Sequence, residues 1–180
     1  MSLHLILGGA RSGKSRYAEQ LAHDSGLPVT VVVTAQALDD EMRARIAHHQ
    51  AERPQHWQTV EAPLELAPLL RVHASSQSML IVDCLTLWLT NLMLRLDQSD
   101  GAHRIKQLHK ALDELLETLD RLSVLGAHVV LVANEIGLGL VPQTPLGRLF
   151  RDEAGRLNQQ IAARCERVTF IAAGLPLSLK

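Results

Sequence analysis

Short apolar runs alternate along this chain with longer segments whose apolar residues recur every three or four positions. The short runs are aliphatic or β-branched and are bounded by turn-forming residues, which predicts strands buried on both faces. They comprise Leu3–Leu7, Val29–Thr34, Met79–Asp83, His128–Ala133 and Arg167–Ala172, with a further short strand predicted at 57–60.

The longer segments are predicted helices, and they cover residues 16–22, about 39–50, 64–72, 84–96, 103–125 and 146–163. Strands that alternate with helices in this way predict an α/β fold, a mostly parallel sheet with helices on both faces. No linker-like stretch divides the 180 residues, so a single domain, 1–180, is expected. In such sheets, ligands bind beyond the carboxyl ends of the strands.

A glycine-rich motif follows the first predicted strand and leads into the first predicted helix. It reads Gly8-Gly9-Ala10-Arg11-Ser12-Gly13-Lys14-Ser15 and fits G-x-x-x-x-G-K-[ST]. In this motif, backbone N–H groups and the helix N-terminus bind nucleotide phosphates. Lys14 is expected to reach the β- and γ-phosphates, and the Ser15 hydroxyl to hold Mg²⁺. A turn that binds nothing would not need Lys and Ser here, so the predicted fold is P-loop NTPase-like.

Asp83 ends its predicted strand as the acidic residue of a P-loop site does, which suggests that it holds Mg²⁺ together with Ser15. The alternative is that Asp83 only caps the helix beginning at Cys84. Glu61, after the short strand at 57–60, is a weaker candidate for metal or ribose contact, or an ordinary surface carboxylate.

The second predicted helix carries two adjacent histidines, His48 and His49. At helical spacing His49 lines up with Arg45 and Arg53, whose positive charges disfavour the imidazolium form and attract a phosphate. A neutral imidazole is what attack on a nucleotide phosphorus requires. From spacing alone, two solvent-exposed histidines are the alternative.

Composition and charge exclude several classes of binding partner. The formal net charge is −1 and no Lys- or Arg-dense run occurs, so nucleic acid and acidic membrane surfaces are not expected partners. The apolar runs are too short or interrupted for a membrane span, and the N-terminus leaves no room for a cleavable signal, which predicts a cytoplasmic protein. Cys84 and Cys165, on separate predicted helices, lack metal-ligand spacing and are expected to be buried thiols.

Several segments together resemble one family, the bifunctional adenosylcobinamide kinase / adenosylcobinamide-phosphate guanylyltransferases. Besides the glycine-rich motif with Arg16, the matching residues are Asp40-Glu41-Met42, Arg45-Ile46-Ala47-His48-His49, Arg53-Pro54, Trp57, Glu61, Asn134 to Pro142, Phe150-Arg151-Asp152 and Gly155 to Gln159. They extend from end to end of the chain, and the histidine segment and the Asn134 loop are specific to the family.

The resemblance implies that the enzyme phosphorylates adenosylcobinamide, using ATP or GTP, and then transfers GMP from GTP to the new phosphate. It also implies a GMP-histidine intermediate on the histidine four residues after Arg45, which is His49, with His48 as the alternate. Catalytic roles therefore fall on His49, His48 and Lys14, with Mg²⁺ as cofactor, and a homotrimer is implied.

Further nucleotide contacts are expected at two places. At the end of the second predicted strand they are Thr34, Ala35 and Gln36, and directly after the two histidines they are Gln50, Ala51, Glu52 and Arg53. The sequence has no Asn-Lys-x-Asp motif for reading guanine. The loop after Asn134, with its glycines, is a candidate to close over the substrate or is a structural loop. Arg148, Arg151 and Arg156 either contact a substrate phosphate or face solvent.

Two other functions fit the P-loop. One is a P-loop small-molecule kinase without guanylyltransferase activity, in which His48 and His49 are surface residues. The other is a regulatory NTP-binding switch protein, whose nucleotide turnover would not respond to a corrinoid.

Overall fold

The computed structural model describes residues 3–37, 39–40, 43–44, 46–47, 51, 53–96 and 101–180, without the side chain of residue 102. Within these residues, seven strands form one sheet in the order β3-β2-β4-β5-β1-β6-β7. The strands are β1 (Leu3–Gly8), β2 (Val29–Val33), β3 (Gln58–Glu61), β4 (Met79–Asp83), β5 (His128–Asn134), β6 (Arg167–Ala172) and β7 (Leu175–Ser178).

Every neighbouring pair of strands is parallel except β6 and β7. The carboxyl ends of the parallel strands therefore share one edge of the sheet. At this edge Gly8 pairs with Asn134, and Val33 pairs with both Asp83 and Glu61. Because β5 lies between β1 and β4, the glycine-rich motif and Asp83 are separated by one strand.

Five helices cover the two faces of the sheet in the described part of the chain. They are α1 (Lys14–Ser25), α2 (Leu66–His73), α3 (Leu85–Arg95), α4 (Gly101–Val124) and α5 (Pro145–Arg164). Ala18 and Ala22 of α1 pack against one face with Val31 and Ile81. The other helices cover the opposite face in a larger apolar core that includes the fully buried Trp88. The predicted α/β fold with helices on both faces is confirmed. Within the described residues, no helix is both long and apolar enough to cross a bilayer.

The predicted helix around residues 39–50 falls largely outside the described residues. Apart from Asp39, those of its residues that are described, such as Arg43 and Ile46, have helical backbone, as does Ala51. His48 and His49 are not among them.

The structure differs from the sequence prediction at several element ends. The strand β7 was not predicted, because it has four residues and contains Pro176, which is tolerated at a sheet edge. Thr144 caps α5 by accepting a hydrogen bond from Gly147 N, so this helix begins at Pro145. Cys84 and Cys165 are buried thiols, but they are cap residues of α3 and α5 instead of helix-interior ones.

Candidate active site

The glycine-rich motif forms a tight loop between β1 and α1, and the backbone requires glycine at two of its positions. Gly8 has φ +154° and Gly13 has φ +100°. A Cβ on Gly8 would lie 2.4 Å from the Ile171 carbonyl oxygen and 2.7 Å from Ser12 Oγ, so no larger residue fits without movement of the backbone. The loop leads into α1 through the hydrogen bond from Tyr17 N to Gly13 O at 3.0 Å.

Polar groups of this loop are turned inward. Lys14 is buried, and its Nζ donates to Gly9 O at 2.5 Å. Ser12 Oγ is buried without a hydrogen-bond partner among the described residues. Gly13 offers no side-chain cap to the first N–H groups of α1, and these are the groups that bind anions at helix N-termini. An ammonium, an unpaired hydroxyl and an uncapped helix start together suit a phosphate chain.

Two neighbouring segments hold the loop from either side. Glu135 N, directly after β5, donates to Gly8 O at 3.0 Å, and Gly174 N, in the β6–β7 turn, donates to Ser12 O at 2.9 Å. Sequence reasoning missed the support from Gly174. A glycine followed by Leu-Pro after a strand was the available signal for a turn.

Asp83 lies half-buried at the end of β4, on the edge of the sheet that carries the loop. The adjacent Cys84, and not Asp83, is the N-cap of α3, with Cys84 Sγ accepting from Leu87 N at 3.4 Å. The alternative role of Asp83 as a helix cap is therefore wrong. Burial and then the Asp83 carboxylate raise the pKa of the Cys84 thiol to about 11, while the Lys14 ammonium lowers it. Lys14 and Asp83 are thus both close enough to Cys84 to act on it.

The Thr34 side chain forms its hydrogen bonds within the protein. Thr34 is fully buried, and its hydroxyl donates to Cys84 O at 2.7 Å and accepts from Cys84 N at 2.9 Å. Its carbonyl oxygen accepts from Asn91 Nδ2 at 2.7 Å. Thr34 therefore ties the ends of β2 and β4 together, and as a nucleotide contact it stays a prediction. The half-buried Ala35 and Gln36 stay predicted nucleotide contacts.

Arg53 lies at the end of the segment that carries His48 and His49, here called the histidine segment. It forms an ion pair with α1, the helix that follows the glycine-rich loop. Its Nε donates to Glu19 Oε1 of α1 at 3.1 Å, and its side chain is 6% exposed. Of the other residues predicted on this segment, Ala51 is exposed, whereas His48, His49, Gln50 and Glu52 lie outside the described residues. Glu61 is exposed at the end of β3, four strands away from β1.

The β5–α5 loop, residues 135–144, is fastened by two arginines of α5. Arg151 Nη2 donates to Gly137 O at 2.8 Å, and Arg148 Nη1 donates to Gln143 O at 2.7 Å. Arg156 instead pairs with the buried Glu153, at 2.6 Å. The three arginines therefore have structural partners in this conformation, and none of them only faces solvent.

Comparison with known proteins identifies the family of this chain. A family model described as cobinamide kinase / cobinamide phosphate guanyltransferase matches residues 4–179. The bifunctional adenosylcobalamin biosynthesis protein CobP of Pseudomonas aeruginosa is 55% identical over 176 residues, which cover 98% of this chain and 96% of CobP. The bifunctional adenosylcobalamin biosynthesis protein CobU of Escherichia coli is 40% identical over 182 residues, with 98% of each chain covered. The chain belongs to the cobinamide kinase / cobinamide phosphate guanyltransferase family. The resemblance inferred from the motifs is confirmed.

Solved structures support the fold of this family member. The flagellar accessory protein FlaH from Methanocaldococcus jannaschii superimposes with a TM-score of 0.55 at 14% identity, covering 99% of this chain and 78% of FlaH. The RadB recombinase gives a TM-score of 0.54 at 16% identity, with 94% and 73% covered. At these identities the likeness concerns the P-loop NTPase fold alone, and it confirms that part of the sequence prediction.

Whether the site of this family member suits Mg²⁺ depends on its oxygen donors. Among the described residues, no group of three or more His, Cys, Asp or Glu side chains is arranged to hold a metal by itself. Mg²⁺ in nucleotide sites needs only one or two protein oxygens, because phosphates and water supply the others. The half-buried Ser15 and Asp83 provide donors of this type, and their chemistry fits the ion.

Proposed function

We propose that this protein phosphorylates the hydroxyl of adenosylcobinamide with ATP or GTP and then transfers GMP from GTP to the resulting phosphate, giving adenosylcobinamide-GDP and pyrophosphate. Family membership over residues 4–179 supports both reactions. The observation that carries the proposal is the phosphate loop, with its buried Lys14 and its unpaired Ser12 hydroxyl. A cytoplasmic location is part of the proposal, because ATP and GTP are supplied there.

In the kinase reaction the loop amides and Lys14 bind the phosphates of the donor. The acceptor hydroxyl attacks the γ-phosphorus, the bond from this phosphorus to the bridging oxygen breaks, and the nucleoside diphosphate leaves. Lys14 offsets the charge that develops on the transferred group and on the leaving oxygen. Ser15 and Asp83 would hold Mg²⁺, which supplies further positive charge to the phosphate oxygens.

In the guanylyl transfer an imidazole nitrogen of His49 attacks the α-phosphorus of GTP, and pyrophosphate leaves. An oxygen of adenosylcobinamide phosphate then attacks the same phosphorus, and the P–N bond breaks to restore the histidine. His48 is the alternate nucleophile. The position of the histidine segment supports attack by one of its histidines. The segment follows β2 at the phosphate-binding edge of the sheet, and it ends at Arg53, which pairs with Glu19 of α1.

GTP labelled at the α-phosphate tests the second reaction directly. Incubated with the protein, it should give an acid-labile, base-stable adduct that is lost in His49→Ala and kept in His48→Ala. The reverse pattern would move the nucleophile to His48. An adduct in neither the wild type nor the variants would leave a kinase without guanylyltransferase activity.

Adenosylcobinamide added to the same protein separates an enzyme from a regulatory switch. An enzyme consumes nucleotide only as corrinoid phosphate and then corrinoid-GDP form, whereas a switch hydrolyses nucleotide regardless of the corrinoid. We further propose a homotrimer, from the family resemblance, which predicts about three times the chain mass of 19.8 kDa in light scattering.

A further inference from the structure

We propose that the tip of the β5–α5 loop, residues 138–141, binds the macrocycle of the corrinoid acceptor. Three aliphatic side chains project from this tip: Leu138 is 84% exposed, Leu140 97% and Val141 67%. Large aliphatic side chains so fully exposed in one short segment are typical of a binding surface. The inference rests on the proposed function, since it assigns the acceptor of that reaction to a surface.

The loop holds these side chains in place through contacts at both of its ends. At one end Gly137 N donates to Glu135 Oε1 at 2.6 Å, and Gly137 O accepts from Arg151 Nη2 at 2.8 Å. Ile136 packs against the main core. The tip between these anchored ends is exposed, so a ligand would meet a preorganised surface, which lowers the entropy cost of binding.

At the other end of the loop, Arg148 Nη1 donates to Pro142 O at 3.2 Å and to Gln143 O at 2.7 Å. Arg151 Nη1 is buried without a hydrogen-bond partner among the described residues. A buried unpaired guanidinium nitrogen is costly, and a ligand group that accepts a hydrogen bond from it would offset this cost.

The loop also starts at the phosphate site. Glu135 N donates to the carbonyl of Gly8, and Gly8 pairs with Asn134 across the β1–β5 ladder. Leu138 is three residues beyond Glu135, so it lies within about 11 Å of it along the chain. The acceptor hydroxyl must meet the terminal phosphate of the donor. The bulk of the acceptor must therefore rest on surfaces that adjoin the phosphate loop, as this tip does.

The chemistry of the tip suits the rim of a corrinoid. Residues 136–144 contain no charged side chain. The rim of a corrin ring is broad and carries methyl groups and neutral amides, so it can make apolar contacts with aliphatic residues. A Cβ on Gly139 would meet a single atom, at 3.9 Å, which leaves open space at the centre of the tip.

The test compares the wild type with the double variant Leu138→Ser/Leu140→Ser. We expect the KM for adenosylcobinamide in the kinase reaction to rise by about tenfold or more, because two apolar contacts are lost. Equilibrium dialysis of adenosylcobinamide, followed by its visible absorption, should show the same loss. Affinity for a non-hydrolysable ATP analogue and the melting temperature should stay at wild-type values.

Two further variants serve as controls. Val124→Ser/Leu125→Ser removes two exposed aliphatic side chains, 89% and 69% exposed, from the end of α4 that leads to the start of β5. It should leave the KM unchanged. Leu138→Met/Leu140→Met keeps apolar contacts and should retain a KM close to that of the wild type.

Several outcomes would overturn the inference. A KM within twofold of the wild type in the serine double variant would do so, as would a change in its oligomeric mass, which would assign the tip to a second copy of the chain. A wild-type protein that leaves adenosylcobinamide unphosphorylated would refute the proposed function instead. An active wild type with an unaffected double variant would refute only the placement of the corrinoid.

Discussion

Removal of the Glu19 carboxylate is expected to destabilise the fold and to release the histidine segment from the phosphate-loop helix. Arg53 Nε donates to Glu19 Oε1 at 3.1 Å, with side-chain exposures of 6% for Arg53 and 24% for Glu19. Loss of one partner from a fully buried ion pair costs about 3–5 kcal/mol, because the other charge stays buried and uncompensated. Since water partly reaches Glu19, we expect about 2–3 kcal/mol for Glu19→Ala.

In a chain of 180 residues this loss corresponds to a fall in melting temperature of about 4–12 °C. Thermal and urea unfolding of Glu19→Ala, Arg53→Ala and the double variant would measure it. The double variant should be less destabilised than the sum of the two single ones, because the pair acts as a unit. Gln20→Ala is the matched control, since Gln20 is exposed next to Glu19 on the same helix. It should cost less than about 0.5 kcal/mol.

The same variants separate two roles for Arg53. If Arg53 anchors the segment, then Glu19→Ala slows GMP-adduct formation from GTP as much as Arg53→Ala does. If Arg53 contacts the nucleotide instead, then only Arg53→Ala weakens GTP binding. A Glu19→Ala protein with wild-type melting temperature and wild-type adduct formation would refute the anchoring role.

Two further predictions concern β1. Gly8→Ala should destabilise the protein by about 1–3 kcal/mol in thermal unfolding and should weaken ATP binding, because the new Cβ would clash with the Ile171 carbonyl oxygen. Gly9→Ala is the control, since a Cβ there meets nothing within 4 Å, and it should keep the wild-type melting temperature. Burial, and then the charge of Arg167, lower the pKa of His4 to about 4 from 6.5, so the unfolded chain binds the extra proton between these values. Stability should therefore be full above pH 6.5 and fall as the pH drops towards 4, by at most about 3 kcal/mol, and His4→Gln should flatten this pH dependence in urea unfolding. If the free energy of unfolding fell with pH equally steeply in the wild type and in His4→Gln, the assignment of this pH dependence to His4 would be wrong.

The fold was predictable where the sequence signal is local. The runs at β1, β2, β4 and β5 are predominantly apolar because both faces of these strands are covered, and a mostly apolar run shows this without any tertiary information. The strand β7 is exposed along its whole length and is held by pairing with β6. Its four residues carry no pattern of burial, so nothing in the sequence distinguishes it from a loop.

The same distinction applies to the candidate site. The phosphate loop was predictable because its glycines, Lys14 and Ser15 are contiguous and each has a chemical reason to be there. Thr34 shows the opposite case. A polar residue at the carboxyl end of a strand suggests a ligand contact, but its hydroxyl is used by the backbone of Cys84, fifty residues away in sequence. Only the register of β2 against β4 reveals this use.

The position of β5 links the phosphate site to the proposed acceptor surface. Inserting β5 between β1 and β4 places its carboxyl end directly beside Gly8, where Glu135 N reaches the Gly8 carbonyl. Whatever follows β5 must therefore leave the sheet next to the donor phosphates. A loop that is anchored there by Arg148 and Arg151 and exposes aliphatic residues is oriented by the same strand that supports the phosphate loop. Donor and acceptor would then be positioned by adjacent strands of one rigid sheet, which is what in-line phosphoryl transfer requires.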